Sequence, residues 1–144
     1  DLGTDEIIRG IHDGLRATSA AIEENSVLPG AGAIHARIAQ AIRNASESEP
    51  GRGRLAMDAF SRALETIPAT LVENSGGEPL DRILELRSAT NSNSAFQGIT
   101  IDGDVGEVIG VWHPFSVIEE SLQSATETAI SMLRIDQVIS ARGD

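Results

Sequence analysis

Apolar residues recur at three- and four-residue spacing through most of the chain, and that period predicts amphipathic helices. Ile8, Ile11, Leu15 and Ile22 mark the first, with Thr4 as its cap, Asp5 and Glu6 in its opening turn, and an end near Glu24. Ile34, Ile38, Ala41 and Ile42 mark a second, to about Ala45, and a polar connector holding Pro50, Gly51 and Gly53 follows. Leu55, Ala56, Phe60, Ala63, Leu64 and Ile67 make a third run. Pro68 should kink it or start a new helix, with Leu71 and Val72 continuing the apolar face. Asn74-Ser75-Gly76-Gly77 reads as a helix stop, and Pro79 opens a helix carrying Leu80, Ile83, Leu84 and Arg87. From Ser88 to Gln97 the chain is polar and loop-like.

The period then changes. Between Ile99 and Ile109 apolar residues alternate around Asp102-Gly103, which is a hairpin signature. Trp112, His113 and Pro114 lead into Ser116-Val117-Ile118-Glu119, which has capping-box form. The last helix carries Ile118, Leu122, Ala125, Ala129, Met132 and Leu133 on one face, and Gln137–Ser140 reads as a closing strand. The expected fold is therefore mainly α, with one small β-hairpin and a C-terminal strand.

At 144 residues the chain suits a single domain able to bury roughly two-thirds of its unfolded surface. Beginning at Asp1 rather than a methionine, it reads as a piece of something longer. It has no cysteine, hence neither disulfides nor thiolate metal sites. It shows no run long enough to span a bilayer and no basic-then-apolar leader, so a soluble, cytoplasmic protein is expected. The formal net charge is −11, and every cationic Lys/Arg position is Arg. Charge of this sign repels nucleic-acid phosphates and anionic membranes, so neither is an expected partner. Acidic enrichment without lysine fits either a protein kept soluble in concentrated salt, where screening removes self-repulsion, or an ordinary acidic protein.

Candidate chemistry is sparse. His12, His35 and His113 fall at unrelated positions without metal-ligand spacing, and no nucleophile–base pair stands out. Arg142-Gly143-Asp144 resembles an adhesion tripeptide, which chance explains in a chain of this composition. Most suggestive is Val27-Leu28-Pro29-Gly30-Ala31-Gly32-Ala33, a small-residue loop feeding a helix N-terminus. Such a loop can bind an anion or let a flat ligand approach the backbone, or simply connect two helices. Asp13, at the edge of the Ile11/Leu15 stripe, reads as a boundary carboxylate that is solvated or paired with Arg9 or Arg16.

Longer blocks carry a resemblance. Gly10–Leu15, Ala21–Glu24 and Leu28–Ala33 resemble the return from the intermediate to the equatorial domain of a chaperonin. Leu55–Phe60, Ala63–Asn74, Ser124–Glu127 and Met132–Ile139 resemble the archaeal thermosome, a group II chaperonin, and the likeness runs in order over nearly the whole chain. It implies a C-terminal equatorial domain over residues 1–144, with 1–20 at the intermediate/equatorial junction. The subunit would be part of an ATP-driven, ring-forming folding machine, with a haloarchaeal source suggested by the charge.

By position, Asp13 matches the aspartate that orients the attacking water on the γ-phosphate of ATP–Mg²⁺. Gly30, Ala31 and Gly32 match the glycine loop over base and ribose, Ala31 replacing its middle glycine. Ile101 and Asp102 fall where the family contacts adenine, and the last strand would pair with a neighbouring subunit. Two residues depart from the pattern: His113 stands where an acidic residue near the ribose is usual, and His35 where Glu is preferred. The family's phosphate loop and second catalytic aspartate, and the apical domain that holds unfolded clients, have no counterpart in these residues. Three readings follow: an equatorial portion whose ATPase needs the whole ring, a stand-alone helical assembly module without nucleotide chemistry, and a nucleotide binder without turnover.

Overall fold

The computed structural model describes the backbone of residues 2–141 and the side chains of 5–135. Five helices and four short strands follow one another as α1 (Leu2–Glu24), β1 (Val27–Pro29), α2 (Ala33–Ser46), α3 (Arg52–Asn74), α4 (Pro79–Ser92), β2 (Gln97–Ile99), β3 (Val105–Glu107), β4 (Trp112–Pro114) and α5 (Phe115–Ala141). β2 pairs antiparallel with β3, setting Gln97 opposite Glu107 and Ile99 opposite Val105, and β1 pairs with β4. The chain divides into two compact units, residues 28–112 and the two flanks 1–27 and 113–144.

In the 28–112 unit, α2, α3 and α4 pack on one another and on the β2–β3 hairpin around Ala36, Val72, Leu86 and Ile99, with Ile83 and Val105 against them. Proline opens α4 at its first position, where the missing N–H has no intrahelical partner in any case. Pro68 does not start a new helix: α3 runs from Arg52 to Asn74 with the proline inside it. The ring is buried against Gly32, where a β-carbon built on the glycine would lie 2.8 Å from Pro68 Cβ. Tertiary packing therefore holds a residue that costs an isolated helix ~3 kcal/mol.

The buried residues of α3 are Ser61, Leu64, Glu65, Pro68 and Val72: Leu64 and Val72 are buried as expected, but Phe60, Ile67 and Leu71 remain exposed while Ser61, Glu65 and Pro68 turn inward. Burial there follows polar partners as much as hydropathy. Glu65 is buried beneath Arg43 of α2 and Arg87 of α4, and Arg87 grips both of its oxygens, through Nε at 2.8 Å and through its terminal nitrogen. Burial pushes the Glu65 carboxyl up, but hydrogen bonds from Arg87 and Arg43 outweigh this and hold it below the ordinary value.

α4 continues to Ser92, five residues beyond Arg87, through a stretch that reads as loop. Its end is held from outside by Arg37 of α2. The guanidinium donates to the carbonyls of Thr90 (3.1 Å), Asn93 (3.3 Å) and Ala95 (3.2 Å) and lies 5.3 Å from the Phe96 ring centroid. A cation at a helix C-terminus satisfies orphan carbonyls and complements the dipole.

The hairpin closes through a three-residue loop, Ile101–Gly103. Thr100 N–H donates to Asp104 O (2.8 Å), Gly103 N–H donates to Thr100 O (3.0 Å), and Gly103 is left-handed at φ 84°. Asp104 also receives a bond from Arg82 of α4 at 2.6 Å. β1 and β4 have no counterpart in the sequence reading, because three residues that include a proline show no alternation.

In the flanking unit, α1 begins at Leu2, ahead of the expected Thr4 cap, and packs on α5. The Glu24 carboxylate accepts hydrogen bonds from the Ser116 backbone N–H (3.0 Å) and hydroxyl, capping α5 from across the unit. These bonds lower the Glu24 pKa. Phe115 N–H donates to Ser26 O at 3.2 Å. Gln137–Ser140, expected as a strand, is the last part of α5. A strand needs a neighbour's edge for its N–H and C=O groups, whereas a helix satisfies them within itself. The adhesion-like tripeptide Arg142–Asp144 lies outside the described residues.

Candidate functional site

The loop between β1 and α2 is built by unusual backbone. Gly32 is left-handed at φ 74° and serves as the N-cap of α2, and Ala31 adopts φ 53°, a region that costs a side-chain-bearing residue about 1–2 kcal/mol. Neighbours hold it there. Gly30 N–H donates to Val111 O (2.9 Å), Ala33 N–H to Gly30 O (2.9 Å), and Ile99 N–H to Ala31 O (2.8 Å). Gly30, Gly32, Ala33 and Ile34 are all buried. Two of the N–H groups that could have met an anion are therefore engaged within the protein, which leaves the flat-ligand reading of this loop the stronger one.

Against the loop lies the hairpin. Gly98 is the close-approach residue: a β-carbon there would sit 2.6 Å from Ala31 O and 2.7 Å from Val108 Cγ2. Between loop and hairpin opens a mostly apolar cavity of about 280 Å³, lined by Ala31, Gly98, Thr100, Ile101, Val108 and Ile109 among others. Ile101, at 94% relative exposure, stands at its rim and would gain most from a covering ligand.

Of the expected site residues, Ala31 and Ile101 come together as walls of this cavity, and Gly30 and Gly32 hold the loop that shapes it. Asp102 is exposed at the hairpin tip. Asp13 and His113 belong to the flanking unit, Asp13 exposed on α1 and His113 half-buried on β4. Of the two states expected for Asp13, the exposed carboxylate fits the solvated one, and Arg9 pairs with Glu6 instead. The loop's dependence on Gly98 and on Arg37 went unseen in the sequence. A glycine before an alternating run marks close approach, but its partner lies almost seventy residues away.

Among the described residues no group of three or more His, Asp or Glu side chains is placed to hold a metal ion. No described helix is long and apolar enough to cross a membrane.

Residues 1–143 match the model of the TCP-1/cpn60 chaperonin family. The chain is 41% identical to thermosome subunit beta of Archaeoglobus fulgidus over 144 residues, 96% of this chain and 26% of that protein. It is 42% identical to a thermosome subunit of Methanopyrus kandleri over 141 residues, again 96% and 26%. With thermosome subunit 3 of Haloferax volcanii it shares 40% over 143 residues, 96% and 27%. Among solved structures it resembles the open-state monomer of a group II chaperonin from Methanococcoides burtonii, with a TM-score of 0.76 and 28% identity, covering 90% of this chain and 33% of that one. The chain thus spans about a quarter of the length of these thermosome relatives. It belongs to the TCP-1/cpn60 chaperonin family, and its fold matches part of a group II chaperonin.

Proposed function

We propose that this chaperonin-family chain is the C-terminal equatorial portion of a thermosome-like, ATP-dependent folding subunit, and that its loop–hairpin cavity takes the base of the nucleotide. One observation carries the reading: Ala31 of the loop and Ile101 of the hairpin, far apart in sequence, wall the same apolar cavity. At about 280 Å³ it lies just under the ~300–1,000 Å³ of ordinary small-molecule pockets, which suits a base rather than a whole nucleotide.

In this reading Gly30, Ala31 and Gly32 bring backbone to the base and ribose, Ile101 covers the ring face, and Asp102 meets its polar edge. His113 stands near the ribose, and Asp13 orients the water that attacks the γ-phosphate. ATP with Mg²⁺ is the cofactor. The phosphate loop, the second catalytic aspartate and the client-holding apical domain come from regions outside these residues. Residues 1–20 form the junction with an intermediate domain, other subunits complete the ring, and the setting is cytoplasmic and haloarchaeal.

Titration with a fluorescent adenine nucleotide tests the base site: saturable binding that Gly98→Ala weakens is expected, and unchanged affinity in that variant refutes it. Asp13→Ala in a ring-forming subunit should abolish turnover while leaving nucleotide affinity within a few-fold, and intact ATPase removes the role assigned to Asp13.

A second reading, an assembly module without nucleotide chemistry, is favoured by the exposed Ile7, Ile8, Ile11 and Leu15 on α1, since exposed apolar clusters mark docking surfaces. Sedimentation decides it: a monomer at every salt concentration rules it out.

A further inference from the structure

We infer that Arg37 is the positioning residue that sets the gap between the glycine loop and the β2–β3 hairpin, and so the shape of the cavity between them. This rests on the base-site reading for its ligand but on the structure's own contacts for its mechanics. Arg37 lies a little over one turn into α2, the helix that the loop feeds. Its guanidinium spans the segment that joins α4 to β2: Nη1 donates to Thr90 O, and Nη2 faces the carbonyls of Asn93, Ser94 and Ala95. The Phe96 ring lies beside the cation.

Both hairpin strands hang from that segment. Phe96 O accepts from Val108 N–H at 2.9 Å on the β3 side, and Gly98–Ile99 of β2 contact Ala31 directly. The contacts close a circuit: loop, α2, Arg37, residues 93–96, hairpin, loop. Arg37 is the charged side-chain link in it, beside the Gln40 amide that donates to Asn91 and the packing of Ala36 on Ile99, and it is not among the residues that line the cavity.

A guanidinium suits carbonyls spread over several residues better than an ammonium does. It presents five donors in a planar fork, whereas an ammonium presents three from a single point. Arg37→Lys keeps the charge at the α4 C-terminus, and with it the dipole and capping contribution, but loses the fork. Arg37→Met loses both. A residue that merely capped α4 would loosen the whole unit together in the Met variant and little in the Lys variant. A positioning residue loosens the hairpin selectively in both.

Native-state amide exchange on the protein and its two variants reads this, together with the affinity for N-methylanthraniloyl-ADP. In both variants, protection at Ile99 and Val108 is expected to fall by about tenfold, the loss of a charge-assisted hydrogen bond, while Val72 and Leu86 keep theirs. Nucleotide affinity should weaken by about the same factor. Unchanged protection at Ile99 and Val108, a uniform fall across the unit, or loosened amides with unchanged affinity would each overturn the inference. If the parent protein binds no nucleotide, the base-site reading fails instead, and the exchange arm alone decides the role of Arg37.

Discussion

Gly32→Ala separates two penalties that usually arrive together. The residue is left-handed at φ 74°, and its missing β-carbon would lie 2.8 Å from Pro68 Cβ and 3.1 Å from Pro68 Cα. The first penalty is conformational, about 1–2 kcal/mol for a side-chain-bearing residue in this region. It is reduced by the roughly 0.4–1 kcal/mol that alanine returns by restricting the unfolded chain. The second is overpacking against a helix backbone that cannot swing aside, typically ~1–3 kcal/mol.

Gly76 supplies the control. It is left-handed at φ 83° in the turn that ends α3, where Gly76 N–H donates to Glu73 O and Gly77 N–H to Val72 O, yet a β-carbon there meets nothing within 4 Å, so Gly76→Ala carries only the first penalty. The expected net loss is about 0–1.6 kcal/mol for Gly76→Ala and about 1–4.6 kcal/mol for Gly32→Ala. In thermal melts each kcal/mol is worth about 2–4 °C at this chain length. Pro68→Ala should not rescue the double variant, because the nearest contact is the β-carbon that alanine keeps. Urea unfolding by linear extrapolation measures all three. Equal losses at positions 32 and 76 would refute the close approach of loop and α3, and with it the packing that holds a proline inside α3.

Other expectations follow from the same contacts. Ala31→Gly relieves a left-handed alanine at φ 53° and should stabilise the protein by about 0.5–1 kcal/mol in the same urea assay. Gly98→Ala drives a methyl group to 2.6 Å from Ala31 O, so the hydrogen bond from Ile99 should break, and amide exchange at Ile99 should accelerate before global stability falls far. Glu65→Gln strands Arg43 and Arg87; because both arginines are about a third exposed, the cost should be nearer ~2 kcal/mol than the 3–5 kcal/mol of a fully buried pair. The folded Glu65 carboxyl is held below its unfolded value, so its contribution is complete above pH ~4.3 and is lost as pH falls through the lower folded value. Stability measured against pH should show a shallower acid limb in Glu65→Gln, and an unchanged limb would mean that the pair contributes nothing.

The order and type of the long elements are local matters, and the amino-acid sequence alone carries them. The spacing of Ile8, Ile11 and Leu15, the proline opening α4, and Asp102-Gly103 in the hairpin each act within a turn or two of the chain. So does the small-residue loop that makes Ala31 a candidate, whereas Ile101 becomes one only through the resemblance carried by blocks such as Ala63–Asn74. What the pattern cannot carry is that Ser61, Glu65 and Pro68, rather than Phe60, Ile67 and Leu71, join Leu64 and Val72 on the buried face of α3, because that depends on Gly32, Arg43 and Arg87 arriving from elsewhere in the chain. The persistence of α3 through Pro68 and the run of α4 to Ser92 share that cause: each is held by a group from a distant part of the chain, Gly32 in one case and Arg37 in the other. The cavity itself belongs to this second class. Two backbone segments meet there at 2.8 Å because a glycine at position 98 permits it, and no local preference of either segment encodes the meeting.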